Sequence, residues 1–189
     1  MSKNLEIEYK TMLSEESFFR ITDYFQLKEE DFFVQVNTYF DTLDSQLKQM
    51  NAGLRIRSFT DSAEITLKLP EKVGLLEITD TISLTQVQEI TKSGVFPENS
   101  EVFQKLLQLN ITTPLHKIGQ LKTKRAQKKL PQGLLALDES WYNNDHDYEL
   151  ELEVTDAVSG RKAFEQLLIT LAIKEINAPN KIQRMMSSF

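Results

Sequence analysis

Tyr148-Glu149-Leu150-Glu151-Leu152-Glu153 alternates an aromatic or aliphatic residue with an acidic one. That is the period-two pattern of a strand with one apolar and one charged face. Three carboxylates therefore share a side. Working outward, Glu6-Ile7-Glu8-Tyr9-Lys10, Leu54-Arg55-Ile56-Arg57 and Ile65-Thr66-Leu67-Lys68 repeat the alternation, with acidic and basic residues segregated by strand. Strands that simply face water carry a looser mixture. Two carboxylates about 5 Å apart repel by roughly 3 kcal/mol at an effective dielectric of about 20, so such a face calls for cations. Hard divalent ions bind carboxylates and phosphate oxygens, while Arg and Lys bind phosphate directly. The acidic and basic strands are expected to meet on a metal–polyphosphate.

The rest of the chain supplies more strands and their cover. Ser14 is placed to cap a helix running to about Phe25, with Phe18, Ile21 and Phe25 on one face. Extended segments are predicted at 32–41, 52–59, 63–70 and 75–82, joined by Thr60-Asp61-Ser62 and by Glu71 to Gly74. Thr85 with Gln88 suits a capping box for one helix, and Ser100 to Leu109 forms another, separated by Gly94 and Pro97. Strands return at 115–129, 134–141 and 147–155, joined by Pro131-Gln132-Gly133 and by Asn143 to Asp147. A helix at Ala157–Ala172 and a short one at Asn180–Met186 end the chain. The fold class is therefore α+β, a single domain over 1–189 with about eight antiparallel strands. Eight such strands close into a barrel. With charged faces inward the barrel is a tunnel, and Leu5, Ile7, Ile56, Leu67, Leu150 and Leu152 point outward. The amphipathic segments 15–25, 86–93, 101–109 and 157–172 are expected to cover them.

Composition narrows the chemistry. The 189 residues are 40% hydrophobic and 26% charged with a net charge of −6, which excludes disorder and argues against charge-driven binding of nucleic acid or acidic membrane. With no Cys, disulfides, thiolate metal sites and Cys nucleophiles are ruled out. No positively charged start leads into an apolar stretch and no apolar run is long enough to span a bilayer, so the chain reads as cytoplasmic with no membrane partner. The glycines are too scattered for a phosphate loop. His116 and His146 read as surface residues, Trp141 and Tyr142 as packing residues, and Met185, Met186 and Phe189 as caps on the core. The basic run Lys122 to Lys129 reads as a solvated strand contributing one or two tunnel residues. Oligomeric state is left open.

The ordered set Glu6-Ile7-Glu8-Tyr9-Lys10, Tyr39-Phe40-Asp41, Leu54-Arg55-Ile56-Arg57, Thr66-Leu67-Lys68, Lys124-Arg125, Leu137-Asp138-Glu139, Tyr148 to Glu153 and Asn180-Lys181 resembles the CYTH domain, or triphosphate tunnel metalloenzyme, family. The resemblance covers nearly the whole chain. It implies an eight-stranded tunnel binding a small-molecule triphosphate with Mg²⁺ or Mn²⁺, and metal-dependent hydrolysis of inorganic tripolyphosphate, thiamine triphosphate or a nucleoside triphosphate. The same fold also implies two alternatives: an adenylate cyclase expelling pyrophosphate, or a non-catalytic polyphosphate-binding module. Carried over, Glu6 and Glu8 are metal carboxylates together with members of Glu149, Glu151 and Glu153, of which Glu151 belongs to either possible pair. Lys10, Arg55, Arg57, Lys68, Arg125 and Lys181 are phosphate ligands, with Lys122 and Lys124 alternatives to Arg125. Glu77 and Asp138 match acidic positions that orient water, a second metal or the basic side chains, and Lys10, Glu77 and Asp138 form the catalytic set. Asn180 stands where many relatives have Ser.

Overall fold

The computed structural model describes residues 2–112 and 114–188. Its strands are β1 (Ser2–Leu13), β2 (Phe32–Asp41), β3 (Gly53–Ser58), β4 (Ala63–Pro70), β5 (Leu75–Ile82), β6 (His116–Leu130), β7 (Gly133–Tyr142) and β8 (Asp145–Val154). They close into an antiparallel barrel in the order β1-β5-β4-β3-β2-β6-β7-β8. The helices are α1 (Glu15–Tyr24), α2 (Gln46–Gln49), α3 (Leu84–Ser93), α4 (Glu101–Gln108), α5 (Ala157–Thr170) and α6 (Lys181–Ser187), with a 3₁₀ turn at Glu29–Asp31. The α+β barrel expected from the alternation is the fold the chain adopts. Among the described residues no helix is long and apolar enough to cross a membrane. Internal contacts divide the chain into two compact units, one built on Gln35–Leu121 and one on Glu6–Val34 with 122–188.

In the first unit the strand register decides which face is which. Leu54 pairs with Leu67 and Ile56 with Ile65, while Arg55 pairs with Thr66 and Arg57 with Glu64. The apolar set is buried with Phe40, Leu47 of α2, Ile90 of α3 and Val102 and Leu106 of α4. Each such burial stabilises by roughly 1.5–3 kcal/mol. The short α2 was not expected. Asp41 makes it possible, because its carboxylate accepts from the backbone N–H of Thr42 (2.8 Å), Leu47 (2.9 Å) and Lys48 (3.0 Å). The capping box of α3 lies two residues before the expected one: Ser83 caps the helix and Gln86 returns a 2.9 Å bond to the Ser83 N–H. Ser83-x-x-Gln86 and Thr85-x-x-Gln88 satisfy the same pattern, so the motif alone does not choose. The helix stops at Gly94, whose φ is +71° and where an added Cβ would lie 2.2 Å from the Leu115 carbonyl oxygen. Replacing Gly94 with Ala is expected to lower unfolding free energy by about 1–3 kcal/mol, measured by urea denaturation.

The second unit repeats the logic. Ile7, Leu135, Leu137, Leu150 and Leu152 pack against Phe18 and Ile21 of α1 and Phe164 and Leu168 of α5. Ser14 caps α1 and Asp156 caps α5 through the Ser159 N–H at 2.8 Å. Leu5 corrects the expected outer face. The β1–β8 ladder begins at Ile7, and Leu5, two residues earlier, is 54% exposed. The β7–β8 turn is also tighter than expected, since β8 starts at Asp145. Met185 is buried as expected, Met186 is exposed instead, and Phe189 lies outside the described residues.

Candidate active site

The charged face of the second unit is assembled by register. β8 presents Glu149, Glu151 and Glu153 on the side opposite Leu150 and Leu152; β1 sets Lys10 against Glu151 and Glu8 against Glu153. β7 sets Asp138 against Glu149 and the small Ala136 against Glu151, and β6 sets Arg125 against Asp138. Asp138, Glu149 and Glu151 are all buried. Each offers an oxygen within 4.8 Å of the others, a spacing at which uncompensated carboxylates repel by about 3 kcal/mol per pair at an effective dielectric of roughly 20.

Four basic side chains compensate them. Arg125 grips Asp138 with two donors, Nε to Oδ1 at 2.7 Å and Nη2 to Oδ2 at 2.5 Å, and also donates from Nη2 to Glu151 Oε2. Lys181 Nζ donates to Glu149 Oε2 (2.5 Å) and Glu151 Oε1 (2.6 Å) and lies 2.8 Å from Asp138 Oδ2. Arg184 joins Asp147 (2.7 Å) and Glu149 (2.9 Å). Lys10 lies 3.1 Å from Glu8 and donates to Asn180 Oδ1 at 2.7 Å. Burial alone would push the Glu151 carboxyl up, but Arg125, Lys181 and Lys10 hold it well below the usual range. Burial likewise opposes the charges on Arg125, Lys181 and Lys10. Their carboxylate neighbours outweigh it and hold all three above their ordinary values.

Asn180 occupies a junction. It begins α6 through a capping box with Gln183 while its side-chain oxygen holds Lys10. Asn143 fastens the other end of the helix, donating from Nδ2 to the Met185 carbonyl at 3.1 Å and to Ser188 Oγ at 2.7 Å. Arg184 and Asp147 are the members that sequence reasoning missed. Their only signal is the helical spacing of Lys181 and Arg184, which puts both on one side of α6. Tyr142 also bonds Asp147, and burial together with that carboxylate pushes its phenol up to about 12.

Glu6, Glu8, Glu151 and Glu153 line one cavity with Arg125 and Gln127. The alternatives to Arg125 lie elsewhere. Lys122 sits over the Trp141 ring at 5.2 Å, and Lys124 bonds Glu29 at 2.6 Å beside the Phe32 ring. Lys128 reaches the Phe25 carbonyl at 3.3 Å. The basic run is thus laid over aromatic rings apart from Arg125's face, which is why β6 shows no clean alternation. His146 and His116 are exposed, and Trp141 stacks on His146 at 5.1 Å.

In the first unit, Arg57 donates to Asn37 (3.0 Å) and Glu64 (3.3 Å), and Lys68 lies 3.0 Å from Glu77. Arg55 lies 4.0 Å from Glu77 while its own Nε is buried with no partner. Burial would raise the Glu77 carboxyl, but Lys68 and Arg55 hold it below its usual value. Glu77 thus faces cations.

The donor set suits a hard divalent ion. The carboxylate cavity contains no sulfur or imidazole donor, and Glu149, two residues from Glu151 on the same face of β8, is buried with an Oε1 that has no hydrogen-bond partner. The residues present fit such an ion.

Comparison with known proteins agrees with this geometry. The CYTH domain family model matches residues 4–186. "Putative triphosphatase YjbK" of Bacillus subtilis (strain 168) is 43% identical over 185 residues, covering 97% of this chain and 95% of its own. Among solved structures, "a putative adenylate cyclase" from Bacillus halodurans superposes with a TM-score of 0.92 at 40% identity, covering 97% of this chain and 98% of that one. HpAC1 from Hippeastrum, described with a dominant triphosphatase activity, gives a TM-score of 0.84 at 25% identity, covering 97% and 96%. With its sequence matched end to end and its strands closed in one barrel, the chain belongs to the CYTH domain family.

Proposed function

We propose that this chain is a metal-dependent triphosphatase, acting as one domain on a small-molecule triphosphate such as inorganic tripolyphosphate, thiamine triphosphate or a nucleoside triphosphate. The observation that carries the reading is the cavity where Glu6, Glu8 and Glu151 meet Arg125. Carboxylates and a guanidinium on one wall suit an anion that arrives with a divalent cation. The activities named for YjbK and HpAC1 support the same reaction.

Glu6, Glu8 and Glu151 would hold the ion, with Glu153 at the border; Mg²⁺ and Mn²⁺ both suit this donor set. When bound, the ion supplies charge neutralisation on the phosphate oxygens and a more acidic water. Phosphoryl transfer needs positioning and charge stabilisation more than covalent chemistry. Arg125 and Lys10 supply donors next to the carboxylates, and the family pattern makes Arg55, Arg57 and Lys68 phosphate ligands as well. Asp138 and Glu77 act by aiming cations, since Asp138 receives both arms of Arg125 and Glu77 faces Lys68.

Arg57→Ala and Glu8→Gln are each expected to lower kcat/KM about 10²- to 10³-fold with the far-ultraviolet spectrum unchanged. EDTA should stop turnover, and added Mg²⁺ or Mn²⁺ should restore it. Near-normal turnover in both variants rejects the assignment. The name carried by the Bacillus halodurans relative makes cyclisation the second reading. Products separate the two: orthophosphate marks hydrolysis, whereas pyrophosphate with cyclic AMP from ATP marks cyclisation. Tight metal-assisted binding with neither product would mark a binding module.

A further inference from the structure

The face of β1 that packs on the helices carries Ile7, Tyr9 and Leu13, and between the last two stands Thr11, fully buried. A buried hydroxyl is costly unless it is hydrogen-bonded. Its partner is the strap 173–180, which joins α5 to α6 without regular structure. Thr11 Oγ1 accepts the Ile176 N–H at 2.8 Å and lies 3.2 Å from the Ile176 carbonyl, to which the Met12 N–H also donates at 3.2 Å. Four residues further on, Asn180 accepts from Lys10 at 2.7 Å. Lys10 and Thr11 are neighbours on a strand and point to opposite faces, so β1 holds the strap once on its helix-covered face and once on its charged face. Arg161 of α5 grips the strap as well, giving Nη1 and Nη2 to the two oxygens of Glu175 at 2.7 and 2.6 Å while lying 5.8 Å from the Tyr9 ring centre. Residues 174–177 are exposed, so directional bonds rather than burial hold them.

We propose that Thr11 is a positioning residue for Lys10: it fixes the register of the strap on β1, and the strap, through Asn180, aims the Lys10 ammonium at a phosphate of the substrate. The inference rests on the triphosphate reading above. A lysine ammonium rides on a flexible four-carbon stem, and a fixed acceptor removes that freedom before the substrate arrives. Of its three N–H donors, the bond to Asn180 uses one.

The test measures binding of a non-hydrolysable imido analogue of tripolyphosphate, with Mg²⁺, by calorimetry for wild type, Thr11→Val and Thr11→Ser. Val removes the hydroxyl and Ser keeps it. Thr11→Val is expected to bind about tenfold more weakly, the worth of one hydrogen bond, and Thr11→Ser within about twofold of wild type. The Ile176 amide should exchange with solvent faster in Thr11→Val, while the Leu150 and Leu152 amides of β8 should not. A threonine that served stability alone would lower the unfolding midpoint and leave the affinity of the folded chain unchanged. Equal affinity in wild type and Thr11→Val overturns the proposal, as does a Thr11→Ser chain as weak as Thr11→Val. If wild type binds the analogue but releases no phosphate from tripolyphosphate, a weaker Thr11→Val still upholds the positioning role while the hydrolytic function falls.

Should Thr11→Val fail to fold, Glu175→Ala decides. Glu175 is exposed, so its loss frees the strap without opening the core. Binding of the analogue should weaken about threefold, and unchanged affinity would overturn the proposal.

Discussion

Replacing Glu151 with Gln is expected to lower metal-dependent phosphate release by about 10³-fold or more. The change keeps the size of the side chain and removes the charge that Arg125, Lys181 and Lys10 share. Glu151 accepts from Arg125 through one oxygen and from Lys181 through the other, pairs with Lys10 in the β1–β8 register and lines the carboxylate cavity. An amide turns one acceptor into a donor aimed at Arg125 or Lys181. It also removes one of the three proposed metal carboxylates. Loss of a single preorganised electrostatic contact typically lowers turnover 10²–10³-fold, and here two kinds of contact fail together. Glu139→Gln is the matching control. It sits on the opposite parity of β7, where its partner is the exposed His146 at 2.9 Å, and should leave turnover within about twofold. Comparable losses in the two variants would show that general charge on the barrel, not this position, sets the rate.

Arg125→Ala is expected to act on stability as well as activity. Asp138 is completely buried and gives both oxygens to that guanidinium. Removing one partner of a buried pair leaves a charge in a low dielectric and typically destabilises by about 3–5 kcal/mol. Lys181 remains 2.8 Å from Asp138, which places the expected loss toward the lower end. Arg125→Lys should recover little of it, because a single ammonium cannot reproduce the two-pronged contact. The double variant Arg125→Ala/Asp138→Asn should recover part of the stability and none of the activity. Urea denaturation followed by Trp141 fluorescence measures the first, and phosphate release the second. A stable, active Arg125→Ala chain would remove Arg125 from the site.

The barrel was legible because its charges alternate with apolar residues. Glu149, Glu151 and Glu153, or Arg55 and Arg57, mark one face as plainly as Leu150 and Ile56 mark the other, and strand parity carries that information without tertiary contacts. The helix boundaries followed from Ser14 and Ser100, which cap where expected. What the sequence withheld was long-range. Arg184 and Asp147 meet across 37 positions, and no local pattern announces such a pair. Asp41 matched the family pattern, but its work, capping the four-residue α2, shows only in three dimensions. Lys122 and Lys124 blurred the alternation of β6 because long stems lie over Trp141 and Phe32, a choice that depends on which rings are near. Leu5 looked like the residues that follow it, but it precedes the start of the β1–β8 ladder.

The claim on which the account depends is that the carboxylates of β1 and β8 hold a divalent ion beside Arg125. Crystals grown with Mn²⁺ and a non-hydrolysable imido analogue of tripolyphosphate, with data collected at the manganese edge, test it directly. An anomalous peak is expected within bonding distance of Glu6, Glu8 and Glu151, with a phosphate of the analogue on Arg125. Manganese bound only elsewhere, or an analogue that avoids Arg125, would contradict it.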